Sequence, residues 1–281
     1  MCFDFFLSAF FTHQCLTYFL FAMTRHTLDS WLRTRKEEDL QSVSVGFVPT
    51  MGALHAGHCA LLERSAHENE RTLLSIFVNP TQFNDPADLE KYPRTIERDC
   101  ELAEEAGCTD VILPTMEDIY PHGYRYSISE QRESTILCGA HRPGHFTGVL
   151  TVVMKLLHIS GAQCAYFGEK DYQQYRLIEQ MCRDFFMEIE IIPCPIVRDI
   201  DGLALSSRNI RLTPSDRIRA AEFPRILRHA QTPQIAVEQL QSAGMTVEYV
   251  EEHWGRRLGA VHCGGVRLID NIALSDIVIQ G

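Results

Sequence analysis

The stretch from Val45 to His58 constrains this chain more than any other, because it joins an apolar run to a glycine-containing loop with two histidines. Val43, Val45, Phe47 and Val48 form a short, largely β-branched run bounded by Pro49 and Gly52, the pattern of a strand buried in a parallel sheet. From Cys59 onward, Ala60, Leu61, Leu62, Ser65 and Ala66 fall at helical spacing, with Glu63, Arg64, Glu68 and Glu70 between or beyond them. Strand, turn and helix in that order set the free N–H groups and positive dipole end of a helix beside the carboxyl edge of a sheet. Such a place suits phosphate. His55 and His58 lie three apart across Gly57, so both rings can face one anion, while Gly52 and Gly57 allow close approach. Either histidine alone reads more simply as a turn residue satisfying local hydrogen bonds. Paired directly after a strand, they favour a ligand role.

The rest of the chain alternates in the same way. Leu28 to Asp39 reads as a helix with Leu28, Trp31 and Leu32 on one face, and Thr72 to Val78 as a second strand. Asp88 to Thr95 reads as a loop before a helix from Ile96 to Ala106, which Gly107 closes. Val111 to Pro114 is a third strand, Tyr126 to Ile136 an excursion of short strands, Val149 to Ile159 an apolar helix, and Ala165 to Phe167 and Ile189 to Val197 further strands. Strands and helices in turn predict an α/β fold with a doubly wound parallel sheet, Rossmann-like in form. After about residue 199 the pattern changes. Helical periodicity over Ser215–Ala230 and Pro233–Ala243, with short runs at Val247–Val250 and Gly259–Val261, predicts a smaller α+β unit. The expected division is residues 24–198 and 199–281, preceded by a hydrophobic extension over residues 1–23.

Strand ends carry the ligand groups in an open α/β sheet. Asn79 and Gln82, after the second strand, therefore sit near the edge that holds the histidines, although Asn79-Pro80 also fits simple turn chemistry. Gly168-Glu169-Lys170-Asp171 follows another strand. A glycine there lets an ammonium reach a triphosphate and an aspartate reach a ribose hydroxyl or a metal-bound water. The alternative is a solvated charged turn. A third loop, from Arg198 to Asn209, carries Ser206, Ser207 and Arg208 behind Gly202, an anion clamp or else a helix cap with a surface arginine. Arg198, Asp199 and Asp201 are open to either reading.

Charge narrows the partners. Lys and Arg number 26 against 37 Asp and Glu, a net charge of -11, which argues against a nucleic-acid partner. The 10 cysteines show no CxxC or zinc-like spacing, as expected in a reducing cytoplasm. The first 22 residues lack Lys and Arg and are interrupted by Asp4, His13 and Gln14. They fit neither a secretory signal nor a membrane span well, so a non-native or disordered extension is expected, and no membrane partner.

Taken together, the ordered segments Pro49–His58, Phe77–Phe83, Tyr92–Thr95, Arg142–Phe146, Phe167–Gln174 and Gly202–Asn209 resemble the pantothenate synthetase family. The likeness runs from about Thr27 to Asn271. A His-x-Gly-His alone marks only the wider nucleotidylyl-transferase superfamily, and a transferase acting on another small acceptor is the alternative. The resemblance implies ligation of pantoate and beta-alanine with ATP, through a pantoyl adenylate, with release of pyrophosphate and AMP. It implies that His58 donates a proton to the developing charge with His55 beside it, and that Lys170 and Arg208, with Ser206 and Ser207, neutralise the phosphates. Met51, Gly52, Ala53, Leu54, Ala56 and Gly57 would complete the loop over ATP. Gly168, Glu169, Asp171, Val197 and Leu205 would line the nucleotide site. Gln82 and Gln174, with Asn79 and Arg142, would serve the substrates. Mg²⁺ would arrive with ATP, its ligands unassigned, the C-terminal unit would be a lid, and the chain would form a homodimer. Leu205 stands where the family usually has Met, a volume-conserving swap. Cys59, at a helix start, is a candidate reactive thiol, with burial as the alternative.

Overall fold

The computed structural model describes residues 23–37 and 42–278. The expectation for residues 1–22, and the end of the first helix at Asp39, lie outside the described residues. In chain order the first elements are β1 (Thr24–His26), α1 (Leu28–Glu37), β2 (Val45–Thr50), α2 (Ala56–Glu68), β3 (Arg71–Ile76), α3 (Pro86–Glu90), α4 (Ile96–Glu105), β4 (Asp110–Ile112) and α5 (Met116–Ile119). There follow α6 (Cys138–His141), α7 (His145–Ser160), β5 (Cys164–Gly168), α8 (Tyr172–Asp184) and β6 (Glu190–Cys194). The C-terminal part holds α9 (Pro214–Ala220), α10 (Glu222–His229), α11 (Pro233–Ser242), β7 (Thr246–His253), β8 (Arg256–Cys263) and β9 (Val266–Ala273).

The first six strands form one sheet in the order β1-β4-β3-β2-β5-β6, parallel throughout. β2 is central, with Val45, Phe47 and Val48 fully buried, as a strand covered on both faces requires. From β2 the chain winds outward through β3 to β4, then returns to the other side of β2 as β5 and β6. The winding direction reverses between β2 and β5, and a crevice opens there at the carboxyl ends of the strands. That single topological fact brings the loop after β2 beside the loop after β5.

The second sheet is antiparallel, β7-β8-β9. It is covered on both faces. Tyr249, Leu258 and Ala260 join the same apolar cluster as Phe146, Val149 and Phe167, while Val250, Val261, Leu268 and Ile272 pack with Phe223, Ile226 and Leu227 of α10. The sheet is thus a layer between α10 and the parallel domain.

Four expectations need correction. Helix α2 starts at Ala56, not Cys59, because the His55 side chain caps it by accepting from Gly57 N–H, an unusual cap that hides the boundary. Asp88 to Thr95 is not all loop: Asp85 accepts from Ala87 N–H and Pro86 opens α3, a start signal of the common kind. No strand forms between Tyr126 and Ile136. There Glu130 draws in the N–H groups of Arg132 and Ser134 at 2.8 and 2.6 Å and turns the chain into a short 3₁₀ helix, Glu133–Thr135. The helix expected over Ser215–Ala230 is two, α9 and α10, since Pro224 has no N–H to give to the Ala220 carbonyl.

Candidate active site

Helix α2 begins at the mouth of the crevice, so its first turn decides where the histidines point. His55 Nδ1 accepts from Gly57 N–H at 3.1 Å, and His58 Nδ1 accepts from His55 N–H at 3.4 Å. The two rings lie 4.1 Å apart, tilted by 34°. With both Nδ1 atoms accepting, the proton of each neutral ring belongs on Nε2. Burial, then the Lys170 ammonium, pushes the His55 pKa down to about 4. For His58, burial leads, followed by His55 and Lys170, and its pKa falls to about 3. At neutral pH both rings are therefore uncharged donors through Nε2–H.

These rings face a cavity of about 240 Å³ lined by residues from all the loops expected at the sheet edge. Met51, Gly57, Asn79, Gln82, Gly168, Lys170, Asp171, Gln174, Val197, Leu205, Ser206, Ser207 and Arg208 all line it, with His55 and His58. Val149, Val152, Val153 and Leu156 of α7 supply an apolar wall that periodicity alone assigns only to the core. Gly52, Ala53, Leu54, Ala56 and Glu169 do not line the cavity. The Ala53 and Leu54 N–H groups turn away to Asp99, and Glu169 pairs with Arg256 at 2.8 Å.

Gln82 is held from several sides. Asn79 Nδ2 donates to its Oε1 at 3.1 Å, and its own Nε2 reaches Met51 Sδ at 3.1 Å. Asn79 is 1% exposed, and its Oδ1 accepts from the hydroxyls of Thr81 and Tyr120. Its amide nitrogen also donates to the Gly148 carbonyl at 3.3 Å, so Asn79 ties Gln82 to α7. Arg142 lies outside the main cavity, in a smaller neighbouring one. It donates to the Gln82 carbonyl at 3.2 Å and to His145 Nε2 at 3.0 Å, and burial pushes its pKa down to about 10. His145 in turn donates through Nδ1 to the same carbonyl at 2.8 Å, and burial with Arg142 beside it lowers its pKa to about 3. Gly148 makes the arrangement possible, since a Cβ there would meet the Thr81 carbonyl oxygen at 2.4 Å.

The basic groups are paired within the chain. Lys170 Nζ lies 3.3 Å from Asp171, whose carboxyl is held below its usual pKa by Lys170 and Arg208 against the opposing effect of burial. Arg208 donates to Asp88 of α3 at 2.7 Å and stacks over Tyr92, whose hydroxyl lies 3.4 Å from Ser207 Oγ. Arg208 thus rests against Asp88 and lines the cavity at the same time.

Sequence reasoning missed the residues that fix these loops from behind. Asn271 on β9, 1% exposed, donates to the carbonyls of Glu169 and Lys170 at 2.8 and 3.2 Å. Its neighbour Asp270 accepts two bonds from Arg198, at 2.6 and 2.9 Å. One strand of the small sheet thus braces both the lysine loop and the root of the arginine loop. Asp270 and Asn271 are an adjacent polar pair in a strand that also carries Arg267, and nothing local marks them as braces. Arg198 is thus paired inside the fold with Asp270, and Asp199 and Asp201 pair with Arg217. Cys59 is half-buried with its thiol pKa pushed up by burial and Glu63, so burial prevails over activation.

The sequence model of pantoate-beta-alanine ligases matches residues 21–273. The chain belongs to that family. Among its relatives, a pantothenate synthetase of Legionella pneumophila (strain Lens) is 50% identical over 249 residues, covering 89% of this chain and 98% of the relative. One from Bdellovibrio bacteriovorus is 51% identical over 234 residues, covering 83% and 93%. The crystal structure of a pantoate-beta-alanine ligase from Francisella tularensis, complexed with beta-gamma ATP and beta-alanine, superposes with a TM-score of 0.86 at 40% identity, covering 90% of this chain and 98% of that one. Pantothenate synthetase from Thermus thermophilus gives 0.83 at 37%, covering 90% and 99%.

Proposed function

We propose that this chain carries out the ATP-dependent ligation of its family in two steps. The pantoate carboxylate displaces pyrophosphate from the α-phosphorus of ATP, and the amine of beta-alanine then displaces AMP from the pantoyl adenylate. The observation that carries this reading is the meeting, in one cavity, of a neutral histidine pair at a helix start, Lys170 and Arg208, with two amides and an apolar wall. The first group suits a triphosphate. The second, Gln82 and Gln174 beside Phe77, Val149 and Val153, suits a small hydroxy acid with a methylated carbon.

Displacement at phosphorus needs positioning and charge stabilisation above all. His58 Nε2–H is assigned to the oxygens of the phosphate under attack and His55 to the same face. Being uncharged, His58 acts first as a hydrogen-bond donor, and the incoming phosphates raise its basicity as charge develops. Lys170 and Arg208 neutralise the departing pyrophosphate, and Arg208 exchanges Asp88 for phosphate as it does so. Gly168 and Val197 sit on the nucleotide side. Mg²⁺ enters as part of the nucleotide substrate, where phosphate oxygens, water and one or two carboxylates usually hold it. Among the described residues no group of three His, Cys, Asp or Glu side chains is placed to hold a metal, and Asp171 is the cavity carboxylate that fits that supporting part.

The same reading includes residues 199–281 as a lid over the acyl adenylate, a homodimer and a cytoplasmic setting. Eight cysteines among the described residues are free thiols, which suits a reducing compartment, and no helix among those residues is long and apolar enough to cross a membrane. The test is pantoate-dependent exchange of labelled pyrophosphate into ATP without beta-alanine. Exchange is expected with wild type and slower by about 10²-fold or more in His58→Ala. Exchange that ignores pantoate defeats the ligase reading, and an unaffected variant removes His58 from the chemistry.

A further inference from the structure

Asp99 is an acid held by neutral donors. It is 1% exposed in the first turn of α4, and among the described residues no ion pair reaches it. A buried carboxylate is tolerated only where donors replace its water. Its donors here are Ala53 N–H at 3.0 Å, Leu54 N–H at 2.8 Å and the Thr95 hydroxyl at 3.1 Å, and the positive end of α4 adds to them.

Two of those donors are consecutive N–H groups of the loop between β2 and α2. Gly52 and Ala53 both have left-handed backbones, with φ of +79° and +51°. For a non-glycine residue that conformation is strained and persists only where the surroundings impose it. Successive N–H groups bent this way form a concave anion site, and the anion in it is the Asp99 carboxylate. A Cβ on Gly52 would meet Asp99 Oδ2 at 2.9 Å, so the carboxylate fills the space that glycine leaves. The Gly52 N–H is held by the Thr50 hydroxyl at 3.2 Å. All three N–H groups from Gly52 to Leu54 are therefore tied to fixed side chains behind the loop, and His55, the next residue, caps α2.

We propose that Asp99 is a positioning residue for adenylate formation: it fixes the 52–54 backbone, and so aims the α2 N-terminus with His55 and His58 at the nucleotide. Asp99 does not line the cavity and acts only through the loop. The proposal rests on the reading that these histidines serve the first step.

The experiment measures two half-reactions: pantoate-dependent pyrophosphate–ATP exchange, and AMP release from synthetic pantoyl adenylate with beta-alanine. Asp99→Asn keeps the shape but puts an amide N–H where an acceptor is needed. Exchange is expected to fall about 10²-fold, the scale of an ångström of misplacement, while AMP release from the synthetic adenylate stays within about threefold. Thr95→Val, which removes one donor to the carboxylate and leaves the loop bonds in place, is expected to lower exchange about tenfold with AMP release still within about threefold, and decides the matter if Asp99→Asn does not fold. His58→Ala separates the two readings. If His58→Ala leaves exchange intact, the site reading fails; if it slows exchange while the Asp99 and Thr95 variants do not, this proposal fails. Equal loss in both half-reactions would make Asp99 merely structural and also overturn it.

Discussion

Holding three histidines uncharged at the site makes the folded chain sensitive to mild acid, by an amount that can be worked out. His55, His58 and His145 have pKa values lowered to about 4, 3 and 3, each mainly by burial. Unfolded, each titrates near 6.5. Below that value the unfolded chain takes up protons that the folded chain refuses, so stability is full above pH 6.5 and is lost as pH falls towards the folded values. Between pH 7 and pH 5 each histidine loses about 2 kcal/mol of stabilisation, and the figure hardly depends on the folded pKa as long as that lies at or below 4. Three together approach 6 kcal/mol, much of the stability of an ordinary domain. The lowered carboxylates, such as Asp88 and Glu248, act below about pH 5, since unfolded carboxyls titrate near 4. The window from 7 to 5 therefore isolates the histidines. Urea unfolding at the two pH values should show the loss, and His58→Gln, which cannot titrate, should show about 2 kcal/mol less of it. Equal stability at both pH values, or equal loss in wild type and variant, would refute the argument.

The braces behind the site give further expectations. Asn271→Ala frees two carbonyls of the lysine loop and should cost about 2–3 kcal/mol in thermal unfolding while raising KM for ATP several-fold, because Lys170 loses its anchor; an unchanged KM would detach β9 from the site. Asn79→Ala strips a partner from Gln82, Thr81 and Tyr120 and should raise KM for pantoate about 10-fold with little effect on KM for ATP, a split that steady-state kinetics reads directly. Arg198→Met leaves Asp270 buried and unpaired, with an expected loss of about 3–5 kcal/mol in denaturant unfolding; a loss below 1 kcal/mol would contradict the pairing.

The parallel sheet was legible because its strands are short, apolar and set apart by helical periodicity, as in Val45–Val48 and Thr72–Val78. The histidine, lysine and arginine loops were legible because each follows such a strand or a glycine, and winding order carries them to one edge. What stayed hidden lacked a local signal. β1 is three residues, Thr24–His26, and β9 is interrupted by Arg267, Asp270 and Asn271. Asp270 and Asn271 find their roles only through partners 72 and about 100 residues away, and nothing in the spacing of Asp99 points to residues 53 and 54. Local pattern reports an element's own burial. It does not report which side chain of a distant strand will hold a loop still. The Arg208–Asp88 pair shows the same limit: the arginine is readable as an anion donor, whereas its resting partner depends on α3, a helix of five residues with no apolar face of its own to betray it.

Attack of the pantoate carboxylate on the α-phosphorus of ATP, in the cavity that His58 and Lys170 share, leaves a carboxylate oxygen on AMP. Pantoate labelled with ¹⁸O in its carboxylate, turned over with MgATP and beta-alanine, tests it most directly by mass spectrometry of the products. One labelled oxygen is expected in AMP and none in pyrophosphate. Unlabelled AMP, or label in inorganic phosphate, would contradict it.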